Sequence, residues 1–187
     1  MAGPTVSSVF NRLDVRPRDG SVVRDEVKQM VKDAKVGGGI FGGTVINMAT
    51  DAMMDQFDAD KSGKVTQEEL GQQLYGFLKK AVAGDGPAPE PGKMAEKALE
   101  WFDQVDTNHD GKVSVGELKV RVQDELEKAG QSFPETKADA AAKIGVYLLD
   151  EDRDGQASRA EVESLARDVE AQRAPEPPPP AEQLEAA

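Results

Sequence analysis

Residues 57–70 read FDADKSGKVTQEEL, and this stretch decides the fold because its pattern occurs three times. The second copy is VDTNHDGKVSVGEL at 105–118, and the third is LDEDRDGQASRAEV at 149–162. The first aspartates of the three copies stand at positions 58, 106 and 150. A repeat of roughly this period indicates one supersecondary unit used several times along the chain.

Apolar residues with helical spacing stand on both sides of each copy. In the first copy, Met54 and Phe57 precede the first aspartate, Asp58, and Leu70, Leu74 and Phe77 follow the final glutamate, Glu69. The other two copies have equivalent flanks, and this spacing places the apolar side chains on one face of a helix. Each copy is therefore predicted to be a helix, a loop and a second helix, and the chain to be all-α.

Each loop offers oxygen atoms in the pattern that a calcium ion needs. Ca²⁺ takes about six to eight oxygens, which a twelve-residue loop supplies from its positions 1, 3, 5, 7, 9 and 12, with glycine at 6. Position 7 binds through its backbone carbonyl, so lysine or glutamine suits it. The predicted ligands are Asp58, Asp60, Ser62, Lys64, Thr66 and Glu69; Asp106, Asn108, Asp110, Lys112, Ser114 and Glu117; and Asp150, Asp152, Asp154, Gln156, Ser158 and Glu161.

The twelfth residue of all three loops is glutamate. A long carboxylate can bind through both oxygens, which the larger Ca²⁺ accepts, whereas Mg²⁺ demands near-ideal octahedral geometry. We therefore predict three bound Ca²⁺ ions, with Mg²⁺ as a possible competitor.

A fourth, altered copy stands near the N-terminus. From Asp14 to Glu26 it spans thirteen residues, one more than the other loops, and Gly20 comes one place late. Arg16 and Arg18 occupy the third and fifth positions, where oxygen ligands are needed. This copy is predicted to bind no metal and to pair with the second copy as a structural partner.

The pattern resembles the EF-hand family of calcium-binding proteins, over residues 10–170. The resemblance implies that two hands pair through a short antiparallel contact at loop position 8, which is Val65, Val113 or Ala157 here. The layout of four hands with a degenerate first hand is similar to that of sarcoplasmic calcium-binding proteins and calerythrin. It implies four helix–loop–helix units in two paired lobes.

Composition divides the chain into four parts. Residues 1–83 are predicted to form the N-terminal pair of hands and residues 94–173 the C-terminal pair. Residues 84–93 are rich in proline and glycine, which is typical of a linker, and we expect them to separate the halves. Residues 174–187 contain four consecutive prolines and are predicted to be a disordered tail.

The net charge of −12 argues against nucleic acid as a partner, because phosphates require Lys and Arg, and it suits a protein that binds cations. The single histidine and the lack of cysteine remove most nucleophile–base pairs, so we expect no enzymatic activity. No stretch approaches the roughly 18 apolar residues of a membrane span, and no membrane anchor is seen, so we expect a cytoplasmic protein.

Two functions follow from this pattern. The protein can be an intracellular Ca²⁺ buffer or signal modulator, which we favour because its methionine content is modest. Alternatively, it can be a Ca²⁺ sensor that opens on binding, captures a target helix and regulates a partner protein or enzyme.

Overall fold

The structure, a computed structural model, describes residues 3–15, 17–37, 42–84, 86–128 and 135–172. These ranges contain eight helices: α1 (Val6–Leu13), α2 (Arg24–Asp33), α3 (Gly42–Phe57), α4 (Gln67–Ala83), α5 (Met94–Val105), α6 (Val115–Lys128), α7 (Glu135–Leu149) and α8 (Arg159–Ala171). Four short strands lie between them: β1 (Val22–Val23), β2 (Lys64–Val65), β3 (Lys112–Ser114) and β4 (Gln156–Ser158). The prediction of an all-α chain of helix–loop–helix units is confirmed.

Three helices that follow a loop begin at a cap supplied by the loop itself. At the start of α4, Thr66 Oγ1 accepts a hydrogen bond from the Glu69 N–H at 3.2 Å, and the Glu69 carboxylate accepts from the Thr66 N–H at 2.9 Å. The same reciprocal bonds join Ser114 to Glu117 at the start of α6 and Ser158 to Glu161 at the start of α8. Such a box satisfies N–H groups that a helix start leaves unpaired, so the loop end and the next helix form one rigid unit.

The strands join the loops in two antiparallel pairs. β1 pairs with β2, with Val22 opposite Val65, and β3 pairs with β4, with Val113 opposite Ala157. Residues 65, 113 and 157 are the position-8 residues that the family resemblance singled out. The altered N-terminal copy is therefore the partner of the 58–69 loop, and the 106–117 loop is the partner of the 150–161 loop.

The described residues share one hydrophobic core that includes both halves of the chain. α4 packs against α5 and α8, and α1 packs against α4 and α8. Val6 of α1, Phe102 of α5 and Leu165 of α8 are almost fully buried there. Helix faces that remain apolar after the loops have paired are thus buried against each other. The helices before and after residues 84–93 therefore contact each other within this core.

Two of the sequence-based predictions concern residues outside the described ranges, namely Arg16 and the tail at 174–187.

None of the helices in the described ranges combines the length and the apolar character that crossing a bilayer requires.

Candidate metal centre

The first aspartate of each predicted loop organises the turn that follows it. Asp58 accepts the Gly63 N–H through Oδ2 at 2.8 Å and the Ser62 N–H through Oδ1 at 2.9 Å. The equivalent glycine contacts are Asp106–Gly111 at 2.9 Å and Asp150–Gly155 at 2.8 Å. These three glycines have φ between +81° and +89°, a conformation that side chains disfavour. Glycine at position 6 is therefore required by the backbone.

The glutamate at position 12 joins the start of its loop to the end. Glu161 Oε1 accepts from the Glu151 N–H at 2.7 Å, while Oε2 accepts from the Ser158 N–H at 2.8 Å and the Ser158 hydroxyl at 2.7 Å. The equivalent N–H contacts are those of Glu69 with Ala59 (3.1 Å) and Thr66 (2.9 Å), and of Glu117 with Thr107 and Ser114 (both 3.0 Å). Each of these carboxylates lies along the inner side of its loop.

Two of the three predicted ligand sets bring carboxylates together. Asp58, Asp60 and Glu69 each offer an oxygen within 4.8 Å of the others, and the 150–161 loop gathers its first three aspartates in the same way. In the described part of the 106–117 loop no such trio of acids meets, because position 3 is Asn108. The Asn108 amide instead donates to Asp110 Oδ2 at 3.0 Å. That loop assembles one carboxylate fewer than the 150–161 loop.

Hydrogen bonds and burial shift the pKa values of four of these acids in different directions. The backbone N–H of Thr66 holds the pKa of Glu69 below its ordinary value, and the Ser62 hydroxyl lowers the pKa of Asp60. Burial opposes the shift at Glu117, but hydrogen bonds, first that from the Ser114 N–H, still lower its pKa. Burial raises the pKa of Asp150. A cation in the 150–161 loop would offset the cost of keeping Asp150 charged.

An ion pair connects the two C-terminal loops. The Lys112 ammonium bonds Asp154 Oδ2 across the β3–β4 pair. This contact raises the pKa of Lys112 and lowers that of Asp154. Lys112 was predicted to serve the 106–117 loop through its carbonyl only, which leaves its side chain available to the neighbouring loop. A metal ion that binds Asp154 through this oxygen has to displace the lysine.

The N-terminal loop keeps the same hydrogen-bond framework despite its extra residue. Asp14 Oδ2 accepts from the Gly20 N–H at 3.0 Å, and Glu26 accepts from the N–H groups of Val15 (2.8 Å) and Val23 (3.0 Å). Both acids are buried. The sequence analysis identified Asp14 and Glu26 as the ends of a loop with one extra residue, but it did not predict that both acids keep the hydrogen bonds of the other loops.

Comparison with known proteins agrees with this geometry. Residues 49–123 match the family model of the EF-hand domain pair. A calcium and calcium/calmodulin-dependent serine/threonine-protein kinase of Oryza sativa is 41% identical over 63 residues, which are 34% of this chain and 11% of the kinase. The kinase of the same name from Lilium longiflorum is 31% identical over 120 residues, 64% of this chain and 20% of the kinase. The chain therefore spans at most a fifth of these curated relatives.

A smaller relative and two solved structures are also similar. The probable calcium-binding protein CML33 of Arabidopsis thaliana is 27% identical over 116 residues, 62% of this chain and 72% of CML33. The alignment with a Streptomyces coelicolor calcium-binding protein of known structure covers 88% of this chain and 95% of that protein, with 21% identity and a TM-score of 0.31. The second structure is Mg²⁺-loaded apo-berovin, a ctenophore photoprotein whose three Ca²⁺-binding loops all bind magnesium. The alignment covers 87% of this chain and 86% of berovin, with 18% identity and a TM-score of 0.30.

The repeated loop framework extends beyond the stretch that the family model matches. Residues 49–123 of this chain are similar to an EF-hand domain pair. The matched stretch contains the loops 58–69 and 106–117, which follow each other in sequence. In the structure these two loops do not pair with each other: the first pairs with the N-terminal loop and the second with the 150–161 loop.

Proposed function

We propose that the protein is an intracellular calcium buffer or signal modulator that holds three Ca²⁺ ions, in the loops 58–69, 106–117 and 150–161. The observation that carries the proposal is the framework that these loops share. In each loop the first aspartate accepts from the glycine N–H and the final glutamate spans the loop from position 2 to position 9. In the loops 58–69 and 150–161, three carboxylates also lie close enough to one another to bind a single ion.

The donor set suits a hard cation. Every proposed ligand is an oxygen atom: carboxylates, hydroxyls, the Asn108 amide, and the position-7 carbonyls of Lys64, Lys112 and Gln156. Calcium prefers such a set, and a bidentate glutamate at position 12 matches its size better than that of magnesium. Mg²⁺ is proposed as a weaker competitor for the same loops. No group in the proposal performs catalysis, and we propose that the chain is not an enzyme.

The burial of the apolar helix faces supports a role as a buffer over a role as a sensor. A sensor opens on binding Ca²⁺ and exposes an apolar groove, whereas a buffer barely opens. Here helices of both halves pack into one core, so opening would require separating α4 from α5 and α8. Among the described residues, the exposed large apolar side chains are spread over the N-terminal loop and three helices: Val15, Met48 of α3, Phe77 of α4 and Val120 of α6.

One surface feature favours the sensor as the second candidate. Phe77 of α4 is 45% exposed although its ring lies 5.8 Å from that of Phe57, and Met48 of α3 is 55% exposed. Exposed aromatic and methionine side chains are typical of surfaces that bind a partner helix. The similar plant proteins are named as calcium and calcium/calmodulin-dependent kinases, which gives a precedent for a calcium-dependent role.

A dye that fluoresces on apolar surfaces separates the two candidates. We expect its fluorescence with this protein to stay unchanged or to fall when Ca²⁺ replaces a chelator, because metal tightens loops attached to a closed core. A known EF-hand sensor serves as the positive control, and Mg²⁺ alone as the control for ionic effects.

A several-fold increase in fluorescence with Ca²⁺ and not with Mg²⁺ would overturn the buffer in favour of the sensor. The variant Phe77→Ser would then test the location of the exposed surface. If it removed the increase, the partner surface would include α4.

A further inference from the structure

The side chain of Arg12 reaches from α1 to the end of α7, where the 150–161 loop begins. Its Nη1 donates to the carbonyl of Asp150 at 2.6 Å and to that of Tyr147 at 3.4 Å, and its Nη2 donates to the carbonyl of Leu148 at 2.8 Å. These residues are separated from Arg12 by at least 135 positions in the sequence. A residue of the N-terminal hand thus contacts the first residue of the last predicted calcium loop.

The guanidinium is held in this position from several sides. Its side chain is only 11% exposed and lies 5.8 Å from the centre of the Tyr147 ring. Glu151 Oε2 stands 3.7 Å from Nη2 and also accepts from the Ser8 hydroxyl at 3.1 Å. Arg12 and Ser8, both on α1, therefore fix the side chain of the second residue of the loop.

Arginine suits this place for a physical reason. The last carbonyls of a helix have no partners within the helix, and they carry the negative end of its dipole. A planar guanidinium can donate to several of them at once, which the single ammonium of lysine does less well. Arg12 thereby caps carbonyls at the end of α7 from a different helix.

The contacts continue into the proposed metal site. The Glu151 side chain is held by α1, and the Glu151 N–H donates to Oε1 of Glu161, the ligand at position 12. The Asp150 carbonyl is held by Arg12, and the Asp150 carboxylate accepts the Gly155 N–H. The first, second, sixth and twelfth residues of the loop are therefore connected to α1 through hydrogen bonds or an ion pair.

We propose that Arg12 is a positioning residue for Ca²⁺ in the 150–161 loop and that it couples the metal-free N-terminal hand to this site. The proposal rests on the proposed function, since it requires that the loop binds Ca²⁺. Arg12 fixes the loop entry before metal arrives, so less ordering accompanies binding. Its positive charge alone would repel Ca²⁺, so a loss of affinity on removing Arg12 would report geometry and not charge.

The test compares two variants, Arg12→Met and Arg12→Lys, with the wild-type chain. Methionine removes both charge and donors, whereas lysine keeps the charge without the planar fork. Arg24→Met is the matched control, because Arg24 lies on the surface and pairs with Asp51. Calcium is titrated by NMR, with the amides of Gly63, Gly111 and Gly155 reporting on the three loops separately.

We expect both Arg12 variants to bind Ca²⁺ about tenfold more weakly at Gly155, within the range of about 5- to 150-fold that coupling between sites usually gives. The Gly63 titration should stay within about twofold of wild type, as should all three sites in Arg24→Met. A loss confined to Gly155 is not expected from a general loss of stability. If the charge dominated instead, Arg12→Met would bind Ca²⁺ more tightly at Gly155, and the proposal would be overturned.

Coupling is reciprocal, and this gives a readout in the wild-type chain in case Arg12→Met fails to fold. Ca²⁺ should slow hydrogen exchange of the α1 amides, and this slowing should be absent in Glu161→Gln. Unchanged α1 exchange together with a normal Gly155 titration would refute the proposal while leaving the proposed function intact. A Gly155 amide that does not respond to Ca²⁺ in the wild-type chain would instead refute the proposed function at this loop.

Discussion

Replacing Glu161 with glutamine is expected to abolish Ca²⁺ binding in the 150–161 loop at concentrations that saturate the wild-type site. Glu161 accepts hydrogen bonds through both oxygens, from Glu151 on one side and Ser158 on the other. An amide has only one oxygen, so one of these donors would face an NH₂ group. The site also loses a charged ligand, and we expect a weakening of about a hundredfold or more, since ligand charge tunes EF-hand affinity over several orders of magnitude.

The matched control for this substitution is Glu163→Gln. It makes the same chemical change two residues further along α8, at a side chain that pairs with Arg167 on the outside of the helix. Calorimetry should lose one binding event in Glu161→Gln and none in Glu163→Gln. If Glu161→Gln retained every event at unchanged affinity, the assignment of Glu161 to position 12 would be wrong.

Calcium is expected to raise the melting temperature by roughly 15–30 °C relative to chelator. The three loops hold ten ligand carboxylates, and three Ca²⁺ would change the formal charge from −12 to −6. At a free concentration of 100 times Kd, one site stabilises the folded state by about 2.7 kcal/mol, so three sites give roughly 8 kcal/mol. In a chain of this size each kcal/mol moves the melting temperature by about 2–4 °C.

The change should be followed by circular dichroism in chelator, in Mg²⁺ and in Ca²⁺. The control is the variant that combines Glu69→Gln, Glu117→Gln and Glu161→Gln, whose melting temperature should not respond to Ca²⁺. Superimposable wild-type melting curves in chelator and in Ca²⁺ would contradict the idea that metal binding contributes to folding.

The loops could be predicted from sequence because their geometry is local. Asp58, Gly63 and Glu69 lie within twelve positions of one another, and the bonds among loop residues are made inside this interval. The same holds for the other two predicted loops. The helical flanks could be predicted in part, because Phe57, Leu70 and Leu74 become core residues as their spacing predicts. Of the other two predicted flank residues, Phe77 is exposed, and Met54 is only partly buried while its neighbour Met53 is buried.

The relation between the two halves could not be predicted in this way. Residues 84–93 have the composition of a linker, but composition does not report which faces are buried between distant helices. The Gly92 N–H donates to the Glu170 carboxylate at 2.6 Å, which fastens this segment to α8. Similarly, no local pattern marks Arg12 as different from the other basic residues near the N-terminus. Its role depends on carbonyls contributed by α7 and its loop.

Native mass spectrometry of the whole chain in limiting and excess Ca²⁺ tests the central claim most directly. We predict that three ions bind to the wild-type chain and that two remain bound in each single Glu→Gln variant at position 69, 117 or 161. A wild-type chain that retained four ions would show that the Asp14–Glu26 loop binds metal. One that retained only two would show that a loop with a complete ligand set is not a site. Either result would contradict the account.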